Sequence, residues 1–107
     1  MLEGLVLKNY KIKKVLTDDR IKTQLMVLMD MDFHLLGHVD AIVYIFITKG
    51  NISTDIEQSE WIMKKIYIPP QKGKVNEKIE EQNTPLSVQT KKEIQEFYFK
   101  QINNEVK

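Results

Sequence analysis

Cysteine is absent from the chain. Its absence excludes a disulfide scaffold, a thiolate zinc site, an iron–sulfur cluster and a cysteine nucleophile. Glycine is scarce. Gly4, Gly37, Gly50 and Gly73 are too scattered to build a phosphate-cradling loop or a dinucleotide fingerprint. The serines, Ser53, Ser59 and Ser87, lack the glycine-flanked elbow that presents a nucleophile. Long apolar runs are missing too. The most apolar stretch, Val39 to Thr48, is far short of the roughly 20 residues a bilayer requires, and Asp40 sits near its start. Met1 to Val6 has no positive leader and Lys8 breaks the run early, so no secretory signal is expected. Charge of one sign is also lacking, since 16 Lys+Arg face 15 Asp+Glu for a net of +1 over 107 residues. That balance excludes a uniformly basic nucleic-acid glove and a polyacidic mimic of DNA. The expectation is one domain, soluble and cytoplasmic, with no membrane partner and no cofactor.

What is present reads as β-structure followed by a helix. From Arg20 to Met31, Ile21, Thr23, Leu25, Val27, Met29 and Met31 share one face. Arg20, Lys22, Gln24 and Asp30 share the other. Period-two alternation of that length marks a half-buried strand. Leu35 to Thr48 repeats it. Val39, Ala41, Val43, Ile45 and Ile47 form an uncharged face, and the opposite face turns apolar at Ile42, Tyr44 and Phe46. Leu5 to Leu16 is a less regular strand with lysines on both sides, which predicts a bulge or an edge position. Thr17 to Arg20 is a polar turn. Gly50 suits the end of the third strand because it takes positive φ without steric penalty.

Thr54 followed by Glu57 has capping-box spacing. Trp61, Ile62, Met63 and Ile66 do not gather on one helical face. A short helical turn near Asp55 to Ser59, then a strand from Glu60 to Ile68, is therefore expected, with a continuous helix over 55–66 as the runner-up. Pro69 and Pro70 stop the strand. The stretch 71–88 is polar and reads as a linker. A helix over 90–104 carries Ile94, Phe97, Tyr98 and Ile102 as its apolar stripe, with Lys91, Lys92, Glu93, Glu96 and Lys100 facing water. The predicted class is α+β: an antiparallel meander of roughly four or five strands, open or closed into a small barrel, with a C-terminal amphipathic helix. Residues 1–70 form the β domain, 71–88 the linker and 89–107 the helix, packed on the sheet or on a partner chain.

Three constellations carry chemical promise. Asp30, Asp32, His34, His38 and Asp40 all stand at even positions around the second turn. Asp32, His34, His38 and Asp40 are the candidate metal ligands, because two imidazoles and a carboxylate suffice for zinc, manganese or iron. A metal-dependent enzyme built on that hairpin is one reading, and a solvated hairpin tip is the plain one. Lys8, Lys11, Lys13, Lys14, Arg20 and Lys22 crowd the first hairpin. Lys64 and Lys65 lie on the late strand, and Tyr10, Trp61 and Tyr67 interleave. Lysines and aromatics on one barrel face hold single strands by phosphate pairing and base stacking. The plain reading is a lysine-protected edge with the aromatics in the core. Finally, Ile42, Tyr44 and Phe46 on the sheet, with Ile94, Phe97, Tyr98 and Ile102 on the helix, exceed what one helix against one face can bury. That surplus points to an interface with a second copy or another protein.

Gly37, His38, Val39 and Asp40 leading a hydrophobic strand, then Asp55 and Glu57, then Gln95 and Tyr98 on a later helix, resemble fragments of the restriction-endonuclease-like core of RecB-type nucleases. That chemistry needs an acid-x-lysine element to bind Mg²⁺ and orient water. Gln58 follows the acidic pair here, so the resemblance implies no working nuclease. The expected function is a small non-enzymatic module acting through protein–protein contacts as a homo-oligomer. A nucleic-acid-binding barrel and a metal-dependent enzyme are the alternatives.

Overall fold

Among the described residues five strands follow one another along the chain and lie side by side in that same order, so each connection joins neighbours. The computed structural model describes residues 10–17, 20, 23–33, 37–70 and 78–106. The strands are β1 (Tyr10–Thr17), β2 (Gln24–Phe33), β3 (Gly37–Lys49), β4 (Glu60–Ile68) and β5 (Lys78–Pro85). A 3-10 turn, Ile56–Gln58, stands between β3 and β4, and helix α1 (Val88–Val106) ends the described chain. All four strand pairs are antiparallel. The α+β meander with a C-terminal helix is thus observed. Among the described residues the sheet is open, with β1 and β5 at its edges, and does not close into a barrel.

The core lies on one face. Leu25, Val27, Met29 and Met31 of β2 stand opposite Ile45, Val43, Ala41 and Val39 of β3, and all are buried. These are the odd-numbered positions that alternation assigns to the interior. On β1 and β4 the apolar positions slip by one: Ile12 is followed by Val15, and Met63 by Ile66. Register shifts fall at those places, between Ile12 and Lys14 against β2 and between Met63 and Lys65 against β3. Each bulge inserts one residue, so the next apolar side chain returns to the core.

The connection after β3 folds over the core face and buries Ile52 and Ile56. Gly50 starts it at φ 84°, and a Cβ there would meet the Thr54 hydroxyl at 2.8 Å. Asp55 accepts from the Glu57 N–H at 3.3 Å and caps the 3-10 turn. Helix α1 covers the rest of the described core through Ile94, which is fully buried, with Phe97 and Tyr98 packed beside it.

Three sequence expectations are corrected. The 71–88 stretch is not all linker, because residues 78–85 form β5. Ile79 is the single large apolar side chain in that strand and is itself exposed. Backbone bonds to β4 hold it instead, and polar residues with a terminal proline suit an edge that must not recruit neighbours. Lys91, expected to face water, is buried. Its ammonium donates to the carbonyls of Ile56 at 3.0 Å and Ser59 at 2.8 Å. The helix also starts two residues earlier than expected. The Ser87 hydroxyl accepts from the Thr90 N–H at 3.2 Å, a serine N-cap that satisfies a donor the helix leaves orphaned.

Candidate interaction surface

The even-numbered side chains of β2 and β3 project from the sheet face opposite α1. Met26 faces Tyr44 and Leu28 faces Ile42 across the β2–β3 ladder. β4 adds Ile62 opposite Phe46 and Tyr67 opposite Ile42, and Leu16 of β1 lies beside Met26. Leu16 is 45% exposed and Phe46 36%, while Met26, Leu28, Ile42 and Tyr44 are half-buried. Leu16, Met26, Tyr44 and Phe46 line an open depression of about 530 Å³, with Lys64 at its rim. The Lys65 ammonium sits 4.7 Å from the centre of the Tyr44 ring, a cation–π contact that holds the ring in place. Strand alternation therefore sets apolar residues on both faces of the central strands, and α1 lies on one of them.

The lysine–aromatic constellation is divided by the fold. Lys11 and Lys14 pair in register with Asp30 and Leu28 and share the open face with Lys65 and Tyr67. Lys64 donates to Asn83 at 3.0 Å. Arg20 is exposed between β1 and β2, and Lys8 and Lys22 lie outside the described residues. Trp61 is 1% exposed in the core, its indole N–H donating to the Ser59 hydroxyl at 3.0 Å. Tyr10 packs against the core on the helix side. Neither Trp61 nor Tyr10 can stack on a base from the lysine face.

The acidic hairpin gathers in part. Asp30 stands opposite Asp40, and Asp32 opposite His38. His38 Nδ1 lies 3.1 Å from Asp30 Oδ1. The Lys13 ammonium pairs with Asp40 at 3.1 Å. Both pairs are solvent-exposed, and such pairs stabilise by well under about 1 kcal/mol. His34 lies outside the described residues. Among the described residues no three His, Asp or Glu side chains come together closely enough to hold a metal ion.

The helix uses polar side chains to lock itself to the sheet. Gln95 donates to the carbonyls of Ile52 and Thr54, each at 2.9 Å. Asp55 and Gln95, two of the positions that resembled nuclease fragments, thus hold loop backbone instead. Gln101 accepts from the Val15 N–H at 3.0 Å and donates to the Val15 carbonyl at 2.8 Å. Sequence reading missed Gln101 and gave Gln95 another role, because nothing in their spacing distinguishes a backbone-binding amide from a solvated one. Ile94 lies in the core, Phe97 and Tyr98 pack against it, Ile102 is half-buried, and Phe99 is exposed on the outer side.

The Tyr10 hydroxyl donates to the Glu93 carboxylate. Burial, then the bond to Glu93, raises the Tyr10 pKa above its usual value. The Tyr10 and Gln89 bonds lower that of Glu93. Folding thus favours neutral Tyr10 and ionised Glu93. The Glu93 contribution is present above the ordinary carboxylate range and is lost as pH falls through its lowered folded value. The Tyr10 contribution is present below about pH 10 and is lost as pH rises through its raised folded value. Tyr10→Phe keeps the ring packing and is expected to lower stability at pH 7 by about 1 kcal/mol or less, because the carboxylate is largely solvated. Melting temperatures of both proteins, measured from pH 3 to 11, check this. The two curves should converge at the acid and alkaline ends, and a constant gap across the range refutes the linkage.

No helix among the described residues is long and apolar enough to cross a membrane. Set against known protein families, curated proteins and solved structures, the chain matches none of them.

Proposed function

We propose that this chain is a small non-enzymatic interaction module that works through protein–protein contacts on the open face of its sheet and forms a homo-oligomer. The observation that carries the reading is the run of Leu16, Met26, Tyr44 and Phe46 around the depression, with Leu28 and Ile42 continuing it. Tyr, Phe and Met are enriched at protein interfaces, where large side chains lose water on contact. A contiguous apolar patch of this kind is unfavourable in a free monomer unless something covers it.

Light scattering coupled to size-exclusion chromatography tests the reading. The wild type should run heavier than its 12.6 kDa monomer. Phe46→Asp should weaken association by roughly thirtyfold, the effect of losing an interface residue that contributes about 2 kcal/mol. Its circular dichroism should be unchanged, since Phe46 lies outside the core. A wild type that stays monomeric at every concentration refutes self-association.

A nucleic-acid reading draws on the same face, where Lys11, Lys14 and Lys65 stand with Tyr44 and Tyr67. Titration with single-stranded oligonucleotides at two salt concentrations separates the two. Phosphate-driven binding weakens steeply with salt, whereas apolar association does not.

A further inference from the structure

We infer that Gln101 is a plug on the β1 edge, which keeps that edge from accepting β5 of a second copy. An edge strand presents a row of free N–H and C=O groups, and these are a template for another strand. On the outer side of β1, Val15 has both of its groups taken by one side-chain amide. Gln101 accepts from the Val15 N–H at 3.0 Å and donates to the Val15 carbonyl at 2.8 Å. An amide carries a donor and an acceptor side by side, as one residue of a neighbouring strand does. Gln101 thus stands where a sixth strand would bind. Among the described residues, β2 is the one strand beside β1.

Charge identifies the strand that the edge would accept. β1 reads YKIKKVLT, with three lysines and no carboxylate. β5, at the far edge of the same sheet, reads KIEEQNTP, with two glutamates and one lysine. Lys14 stands on the open face, opposite Leu28. Glu81 is in register with Lys65 of that face. β1 and β5 run in the same direction in this meander, so a translated copy, with its β5 running parallel beside β1, would set its Glu81 on the same face as Lys14. Opposite charges on neighbouring strands stabilise pairing. Pairing β1 with itself would instead set lysines against lysines. The β1-to-β5 contact is heterologous, so it extends rather than closes, and a protein that must stay in small units needs the plug. The bulge between Ile12 and Lys14 is a second guard on the same edge.

The test uses the full chain and Gln101→Ala, since alanine preserves helix propensity. Exchange of the Val15 amide hydrogen should accelerate on the order of tenfold to a hundredfold once its acceptor is gone. Sedimentation velocity at low salt should then show species larger than the wild-type mass, growing with concentration. Adding Glu81→Lys or Lys14→Glu to Gln101→Ala should remove them. Combining Glu81→Lys with Lys14→Glu in that background should restore them. Gln101→Glu serves if the alanine variant fails to fold. It accepts from the Val15 N–H but cannot donate to the Val15 carbonyl, and should behave in the same direction. A mass equal to wild type in both variants, or assemblies indifferent to Glu81→Lys, overturns the proposal. Phe46→Asp, which removes open-face association, should leave the edge-dependent species unchanged, so the two modes of association separate.

Discussion

Trp61→Ala is expected to destabilise the protein by about 3–5 kcal/mol, the range for removing a large aromatic from a packed core. Trp61 is 1% exposed and heads the fully buried side chains by volume. It stands opposite Ile47 on β3. Its indole N–H donates to the Ser59 hydroxyl, which in turn donates to the Ile56 carbonyl at 3.3 Å. The substitution therefore opens a cavity and strips a partner from the 3-10 turn at once. Domains are stable by only about 5–15 kcal/mol, so the variant should melt far below the wild type. Chemical denaturation followed by circular dichroism measures the loss. A change under about 1 kcal/mol would mean that the indole does not occupy the core. Trp61→Phe keeps most of the volume and should fall well short of the alanine loss.

Lys91→Met is expected to be the next most damaging change, at about 3 kcal/mol. Two buried carbonyls lose their donor, and each unsatisfied group costs about 1–3 kcal/mol. Methionine keeps the length and the apolar stem, so the loss reads the ammonium and not the packing. The effect should be local as well as global. Lys91 and Gln95 together bind the carbonyls of Ile52, Thr54, Ile56 and Ser59. Amide exchange should quicken in residues 52–59 before it does in β2 or β3. Lys92→Met supplies the control, because Lys92 is exposed one position along the helix and should change stability by less than about 0.5 kcal/mol. Equal effects of the two substitutions would contradict the buried role of Lys91.

The central strands were legible because burial imposes alternation on them. A residue in β2 or β3 must be apolar every second position when one face is core, and Leu25 to Met31 and Val39 to Ile47 obey. The 3-10 turn was legible in place but not in its cap, because Asp55 and not Thr54 accepts from the Glu57 N–H while Thr54 accepts from the Asn51 N–H. β4 was legible from the failure of Trp61, Met63 and Ile66 to share a helical face. β5 was not legible, because its pairing rests on backbone groups that every sequence carries. Lys91 was misread for a related reason. Helical periodicity sorts residues by average hydrophobicity, and an average does not anticipate a lysine stem lying among apolar side chains with its ammonium on two carbonyls.

The candidate surface divides the same way. Ile42, Tyr44 and Phe46 stood out in sequence as apolar residues on the face that Asp40 and His38 begin. That Leu16, Met26 and Lys64 join them around one depression depends on register, which only the paired strands set. The sequence alone determined the odd-numbered core of the central strands, the strand-breaking prolines and the amphipathic helix, because each follows from the local period of apolar side chains. The tertiary structure decided that Trp61 is core and not a stacking platform. It also decided that α1 covers one face, and that Lys91, Gln95 and Gln101 bind backbone from across the fold. Those outcomes depend on which groups are left unsatisfied when strands and helix meet, and residues far apart in the chain supply both halves of each bond.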